Sequence, residues 1–175
     1  MYLQQRGELA ESIALCDRLL ESNPTDAVPR LNRALARLKM GDFSRGWADY
    51  EARKRAGWPY LARAFPVPEW QGEPLAGRKI LVHAEQGLGD QIMFASCVPD
   101  LIAMGARCVI ECAPKLAVLF HRSFPAATVT TDWKPAGGPN SIDCYVAMGS
   151  LPLRVRTSRA AFPAHRGYQI GRAHA

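Results

Sequence analysis

The sequence lacks several features that would define a class of protein at once. None of its apolar runs approaches the roughly 18–20 residues that a membrane-spanning helix needs. The first seven residues contain no apolar stretch of the kind found in a signal peptide. The five cysteines form no Cys-x-x-Cys pair, and no histidine spacing supports a zinc site. We therefore predict a cytoplasmic protein with no membrane span, no bound metal and buried, unpaired thiols.

Excess positive charge is scarce outside the end of the chain. The 175 residues carry a formal net charge of +6, but residues 153–175 contain five arginines and no acidic residue. The remaining 17 lysines and arginines nearly balance the 16 acidic residues. A nucleic-acid-binding protein would need a basic face on its folded part. The charge distribution therefore argues against a nucleic-acid partner.

A 34-residue period links two stretches near the start of the chain. Gly7–Leu9 (Gly-Glu-Leu) recurs as Gly41–Phe43 (Gly-Asp-Phe), and Ser12 corresponds to Gly46 at the same offset. Paired helices with this period are typical of tetratricopeptide repeats. We predict partial tetratricopeptide-like helical repeats over residues 1–56. Further repeats are expected ahead of them, because one repeat cannot bury its own apolar face.

Proline and glycine residues that interrupt helices predict where the helices end. Asn23–Pro24 ends one helix, because proline cannot continue it and restricts the residue before it. Gly41 ends the next, at a position that favours a left-handed backbone. Farther along, Pro99 predicts a bend or a division in the helix that follows the first strand.

Residues 57–78 differ in composition from the helices before them. Their prolines exclude a long helix, and their aromatic residues predict a connector that packs against the fold. The prolines and aromatics of this connector are Pro59, Pro66, Pro68, Pro74, Trp58, Tyr60, Phe65 and Trp70.

Residues 79–152 alternate between strand and helix patterns. Lys79–Ala84 is a near-continuous apolar run, which suits a strand buried on both faces. Further strands are predicted over Arg107–Cys112, Thr128–Thr131 and Ile142–Ala147. The alternation predicts an α/β fold, in which the first part of a Rossmann-like parallel sheet forms with right-handed crossovers.

The loop after the first predicted strand is the candidate functional site. It has the sequence Glu85-Gln86-Gly87-Leu88-Gly89-Asp90 and leads into a helix. In open α/β sheets, ligands bind beyond the carboxyl ends of the strands. Glycines there let main-chain N–H groups approach an anion or a sugar, and the helix start adds partial positive charge. Asp90 directly follows Gly89, so its carboxylate can face such a ligand.

The run from Trp70 to Asp90 closely resembles the repeat-linked bacterial members of the heptosyltransferase-like (family 9) glycosyltransferases. The match is most specific at Glu85–Asp90. Other residues that resemble these proteins are Gly46-Trp47 with Tyr50-Glu51, and Asp143 with Ser150-Leu151-Pro152. The resemblance covers roughly residues 1–152.

The resemblance implies an enzyme with a cleft between two nucleotide-type folds. The acceptor, a glycan or a protein, lies on the first fold, and a nucleotide-sugar donor lies on the second. Asp90 matches the family's proposed general base, which takes a proton from the acceptor hydroxyl during an inverting transfer. No resident cofactor is implied. We predict substrate contacts from six neighbouring residues, namely His83, Glu85, Gln86, Gly87, Leu88 and Gly89.

Each of these residues also has a structural interpretation. Asp90 can cap its own helix, which is a common function of aspartate at a helix start. Gly87 and Gly89 can serve the geometry of the turn. Glu85 and Gln86 can be solvated or can orient the loop, and His83 can be a packed histidine.

Two other functions are consistent with parts of the pattern. A dinucleotide site would use Gly87 and Gly89, with Glu111 on a ribose hydroxyl, but Ile92 occupies the third glycine position. A P-loop is excluded because no Gly-Lys-Ser/Thr follows the glycines. Alternatively, the repeats bind a peptide or protein partner and the α/β part is a scaffold.

Residues 153–175 are predicted to be an aberrant basic tail. The resemblance stops after Pro152, and Gln169–His174 looks like translated adapter DNA, so we expect a frameshift or a processing scar. The family's donor-binding fold is then missing, and we expect no sugar transfer by this chain alone. An unfinished sheet with an exposed edge also predicts marginal stability.

Overall fold

The computed structural model describes residues 2–56, 63–133 and 141–164. The chain divides into two compact units. We call the first the helical unit, which among the described residues comprises 2–56 and 155–163, and the second the α/β unit, which comprises 63–133, 141–154 and 164. No helix in the described ranges is both long enough and apolar enough to cross a membrane.

The described part of the helical unit contains four α-helices that follow one another closely. They are α1 (Tyr2–Gln5), α2 (Leu9–Ser22), α3 (Ala27–Lys39) and α4 (Phe43–Tyr50). The predicted ends at Asn23–Pro24 and Gly41 are confirmed, since Asn23 caps α2 and the chain turns at Met40–Gly41 after α3. Gly41 has φ +81°, the left-handed conformation that glycine adopts most readily.

Helices α3 and α4 approach each other closely at Gly46. A Cβ atom on this glycine would lie 2.7 Å from Cδ2 of Leu38. This separation is well inside the contact distance of two carbon atoms. The absence of a side chain at Gly46 therefore sets the distance between the two helices.

We expect Gly46→Ala to destabilise the helical unit by about 1–3 kcal/mol, because the added methyl overpacks the contact with Leu38. Ser44→Ala is the matched control, since Ser44 is exposed on the same helix. Its free energy of unfolding should stay within about 0.5 kcal/mol of the parent. Urea unfolding followed by far-UV circular dichroism measures both. Equal stabilities for the two variants would contradict the close contact.

An ionic network joins three of these helices. Asp49 on α4 is buried, and its carboxylate accepts hydrogen bonds from Arg33 (Nε–Oδ2 2.7 Å, Nη2–Oδ1 2.9 Å) and from Arg37 (Nη1–Oδ2 2.6 Å). Arg33 also donates to Asp17 on α2 at 2.6 Å. The pKa of Arg33 is raised, chiefly by the hydrogen bond with Asp49. Burial acts in the opposite direction but is the weaker effect. The network fixes the relative positions of α2, α3 and α4.

Residues 155–163 pack within the helical unit. Val155 and Arg156 are buried, and Trp47 Nε1 donates a hydrogen bond to the carbonyl of Arg156 at 3.0 Å. The ring centroids of Phe43 and Phe162 are 4.8 Å apart. The aberrant origin of residues 153–175 stays a prediction, and residues 165–175 lie outside the described residues.

The α/β unit contains a four-stranded sheet in the order β3-β2-β1-β4, and all pairs are parallel. The predicted α/β fold class is therefore confirmed. The strands are β1 (Lys79–His83), β2 (Arg107–Glu111), β3 (Thr128–Thr130) and β4 (Cys144–Ala147). The last strand begins two residues later than predicted, and Ile142 instead contributes its side chain to the core beside Leu81 and Val109.

Helices follow the strands in the described part of this unit. They are α5 (Leu88–Ala95), α6 (Val98–Ala103), α7 (Ala117–Ser123) and α8 (Pro152–Val155), whose last residue belongs to the helical unit. The division predicted at Pro99 is confirmed, because α5 ends before it and α6 carries it in its first turn. Since crossovers between parallel strands are almost always right-handed, those from β1 to β2 and from β2 to β3 are expected to carry α5, α6 and α7 on one face of the sheet. Their buried side chains include Phe94, Leu101 and Phe120.

Aromatic residues cover Leu81 and Val109 in the sheet. Phe65, Val67, Trp133 and Tyr145 pack around these two residues and Ile142. The ring centroid of Phe65 lies 4.4 Å from that of Tyr145 and 5.1 Å from that of Trp133. The described part of the connector, residues 63–78, thus contributes directly to the core.

All five cysteines are buried and none forms a disulfide bond, as predicted. Burial raises the pKa of Cys108 to about 12. Burial, reinforced by the charge of Glu111, raises the pKa of Cys112 to about 11. Because the thiolate is the reactive form, these two thiols are unreactive near neutral pH.

Candidate functional site

The strand order creates a topological switch point between β1 and β4. The chain passes from β1 to β2 on one side, whereas β4 lies on the other side of β1. In open α/β sheets, a crevice forms at the carboxyl ends of the two strands at such a point. The segments at this place are the loop Ala84–Gly87 after β1 and the turn Met148–Ser150 after β4. We call this place the switch-point crevice.

Glu85 links the two sides of the switch-point crevice. Its side chain is buried, and Oε1 accepts a hydrogen bond of 2.7 Å from the main-chain N–H of Gly149. A buried carboxylate with this bond fixes the separation of the loop after β1 and the turn after β4. The structure thus shows an orienting role for Glu85, one of the two interpretations of the residue, and its contact with substrate stays a prediction.

Gln86 adopts an unusual backbone conformation in the same loop. Its φ of +62° lies in the left-handed region, which non-glycine residues enter at a cost of about 1–2 kcal/mol. The carbonyl of Gln86 accepts a hydrogen bond of 3.4 Å from Nε2 of Gln91, and Oε1 of Gln91 accepts from the N–H of Ala113 at 2.9 Å. The loop after β1 is therefore held to the segment that follows β2.

Gln91 is a residue that sequence reasoning missed. It is buried at the start of α5 and uses both ends of its amide in the bonds to Gln86 and Ala113. The available signal was a polar residue on the otherwise apolar inner side of a predicted helix. Its partner Ala113 is 22 residues away, so no local pattern reveals the pairing.

Asp90 caps the helix that it belongs to. Its Oδ2 accepts a hydrogen bond of 3.0 Å from the N–H of Gly87, the residue at the N-cap of α5. Asp90 is partly exposed, while Gly87, Leu88 and Gly89 are exposed. The capping interpretation is thus observed, and it occupies one of the two carboxylate oxygens. The role of Asp90 as a general base stays a prediction.

The exposed first turn of α5 offers hydrogen-bond donors beside this carboxylate. The N–H groups of Leu88 and Gly89 lie where an α-helix provides no carbonyl partner. A Cβ atom added at Gly89 would have no atom within 4 Å, so the space above it is open. The loops of the switch-point crevice and the first turn of α5 contain Glu85 and Asp90 but no lysine or arginine. This combination suits hydroxyl groups, which can donate to carboxylates and accept from N–H groups.

His83 is packed among aromatic rings. It is buried at the end of β1, with its ring centroid 4.9 Å from that of Phe65 and 5.9 Å from that of Tyr145. Its Nδ1 lies 3.2 Å from the carbonyl of Ala84. These contacts agree with the interpretation of a packed histidine, and its contact with substrate stays a prediction.

Glu111 already has partners at both carboxylate oxygens. It forms a two-bond ion pair with Arg63, including Nη2–Oε1 at 3.1 Å and a short bond from Nη1 to Oε2. Oε1 also accepts from the N–H of Trp133 at 3.1 Å. A ribose hydroxyl would have to displace these donors, so the arrangement disfavours the dinucleotide function.

We expect Glu85→Ala to destabilise the α/β unit by about 1–3 kcal/mol, because it leaves the buried N–H of Gly149 without its acceptor. Glu85→Gln is the matched control, since its amide oxygen can still accept this hydrogen bond. Hydrogen exchange at the Gly149 amide, followed by NMR, should accelerate in the alanine variant and change less in the glutamine variant. Equal exchange in all three proteins would contradict the linking role.

The chain is therefore an α/β protein in which several helices precede a parallel sheet in the sequence. The chain is homologous to part of Protein FlbA from Caulobacter vibrioides, with 32% identity over 184 residues. The match covers 93% of this chain and 30% of the relative, so the chain spans about a third of that protein. No protein-family model and no solved structure matches the chain.

The match with FlbA extends past the end of α8. The covered 93% of the chain amounts to about 163 residues, which exceeds the 152 residues that precede the predicted tail. The aligned region therefore includes part of residues 153–175. The buried side chains of Val155 and Arg156 lie in this part of the chain.

Proposed function

We propose that this chain carries the acceptor-binding part of an inverting glycosyltransferase, in which the switch-point crevice receives a sugar hydroxyl. The observation that carries the proposal is the position of Asp90. Its partly exposed carboxylate stands at the start of α5, at the edge of the switch-point crevice and beside exposed main-chain N–H groups. An ionised carboxylate in this place can take the proton of a hydroxyl as its oxygen attacks an anomeric carbon.

The capping bond supports this function by orienting the carboxylate. Because Oδ2 is bound to the N–H of Gly87, the Asp90 side chain has a defined rotamer before any ligand arrives. The second oxygen is the one available for the acceptor hydroxyl. Preorganised groups of this kind contribute to catalysis because they need not reorganise during the reaction.

We also propose that the helical unit consists of tetratricopeptide-like repeats. Gly7 and Gly41, one 34-residue period apart, have φ values of +80° and +81°. Ser12 and Gly46, related by the same period, are both buried small residues. Equivalent conformation and burial at equivalent positions support a repeated helical pair.

Sugar transfer by the intact gene product that contains this segment tests the function. The purified protein would be incubated with nucleoside-diphosphate sugars and with an acceptor extract of its own cells. Release of nucleoside diphosphate and formation of a glycosylated product would be followed together. The proposal requires a product whose anomeric configuration, determined by NMR, is opposite to that of the donor. A folded protein that yields no product with any donor would exclude the proposal.

A further inference from the structure

An open groove lies at the turn between α3 and α4. It has a volume of about 640 Å³ and belongs to the helical unit. We call it the α3–α4 groove, and its lining residues are Leu38, Lys39, Met40, Gly41, Phe43, Arg159 and Phe162. It is separate from the switch-point crevice, and its residues take no part in the proposed glycosyl transfer.

The walls of the α3–α4 groove expose large apolar side chains. Met40 is 55% exposed and Phe162 is 44% exposed. The rings of Phe162 and Phe43 also pack against each other at an interplanar angle of 50°, and together they form an aromatic wall of the groove. Water contact with such surface is unfavourable, so a ligand with apolar side chains gains free energy by covering it. Methionine adapts its shape readily to different apolar partners.

Two cations border this apolar surface. Neither Lys39 nor Arg159 has an ionic or hydrogen-bonded side-chain partner among the described residues. The nearby acid Asp42 is paired with Arg45, at 2.6 Å between Nε and Oδ2. The α3–α4 groove therefore carries two positive charges that the described fold does not neutralise.

The carbonyl groups at the C-terminal end of α3 do not need the side chain of Lys39 as a hydrogen-bond donor. The N–H groups of Met40, Gly41 and Asp42 donate to the carbonyls of Ala36, Arg37 and Leu38. The helix end is thus closed by the main chain, and the ammonium group of Lys39 is available to an external anion. The sequence of residues 165–175 contains Arg166 and Arg172 and no acid, so its charge does not complement the groove.

We propose that the α3–α4 groove binds a partner-protein segment in which acidic residues alternate with apolar ones. Apolar side chains of the segment cover Met40, Phe43 and Phe162. Its carboxylates pair with Lys39 and Arg159. Such pairs at the rim of an interface chiefly determine orientation and the rate of association, and the apolar contacts supply most of the affinity.

The test uses a fluorescein-labelled octapeptide, Glu-Leu-Glu-Glu-Phe-Glu-Leu-Glu, titrated with the 175-residue chain and followed by fluorescence anisotropy. Saturable binding is expected, with shifts of the Met40 methyl resonance in NMR spectra.

Lys39→Glu with Arg159→Glu should weaken binding at least about tenfold by reversing both charges. The matched control is Arg107→Glu with Lys115→Glu, which changes the net charge equally at two exposed sites of the α/β unit. It should bind like the parent.

Two further probes separate the proposed partner from other occupants. A peptide with serine in place of leucine and phenylalanine should bind at least about tenfold more weakly, and a peptide with lysine in place of glutamate should not bind. Equal binding by the serine peptide, or by vesicles of anionic phospholipid, would show general anion attraction and overturn the proposal. Unchanged affinity in the Lys39→Glu, Arg159→Glu variant would also overturn the proposal. So would the absence of any binding between the octapeptide and the parent chain. A chain ending at residue 164 should bind with the parent's affinity, whereas a tighter complex would identify residues 165–175 as the natural occupant and overturn the proposal.

Discussion

Asp90→Asn should lower the sugar-transfer rate of the intact gene product by about 10²–10⁴-fold while leaving the stability of the α/β unit nearly unchanged. Asparagine keeps an oxygen that can accept the hydrogen bond from the N–H of Gly87, so the cap of α5 remains. It has no carboxylate to take the acceptor proton. The measurements are kcat/KM with the active donor and the midpoint of urea unfolding.

Two further variants separate catalysis from helix capping. Asp90→Ala loses the base and the cap together, and it should also lose about 0.5–2 kcal/mol of stability. Asp26→Asn is the matched control, because Asp26 caps α3 through a 3.0 Å bond from the N–H of Val28 and lies outside the α/β unit. It should keep full activity. Full activity in Asp90→Asn would mean that Asp90 is only a cap and would refute its role as a base.

Asp49→Asn should destabilise the helical unit by about 3–5 kcal/mol, which is the usual effect of removing one partner from a buried ion pair. The side chain of Asp49 is 6% exposed, and those of Arg33 and Arg37 are each 14% exposed. Removing the carboxylate charge leaves the guanidinium groups of Arg33 and Arg37 close together with little water to screen them, and that of Arg30, whose Nη1 lies 3.8 Å from Oδ1 of Asp49, nearby. The asparagine has nearly the same volume, so the loss comes from charge and hydrogen bonding.

Asp17→Asn is the matched control for this variant. Asp17 pairs with the same Arg33, but its side chain is 44% exposed. An exposed pair contributes about 0–1 kcal/mol, so its loss should be small. Urea unfolding of both variants at low and high salt would show the difference, since screening weakens exposed pairs more than buried ones. Equal losses in the two variants would contradict the dominant role of the buried carboxylate.

The parts of the fold that sequence reasoning anticipated depend on local chemistry. Asn23–Pro24, Gly41 and Pro99 each act on their own stretch of main chain, so the helix boundaries they predict were found. The parallel sheet follows from apolar strands alternating with helices. The position of the loop Glu85–Asp90 at the carboxyl end of β1 follows in the same way.

The contacts that hold the candidate site together could not be predicted, because they join distant positions. Glu85 and Gly149 are 64 residues apart, and Arg63 and Glu111 are 48 residues apart. Neither pair leaves a periodic pattern in the sequence. At Asp90 the sequence left capping and catalysis open because both place a carboxylate at a helix start. Only atomic geometry shows that one oxygen is engaged with Gly87.

The hydrogen bond between Glu85 and Gly149 has a consequence for ligand entry. The loop after β1 and the turn after β4 are tied by this buried bond. A molecule arriving at the carboxyl ends of these strands therefore meets two segments whose separation is already fixed at this point. A molecule that binds there would spend little of its binding free energy on ordering these two segments.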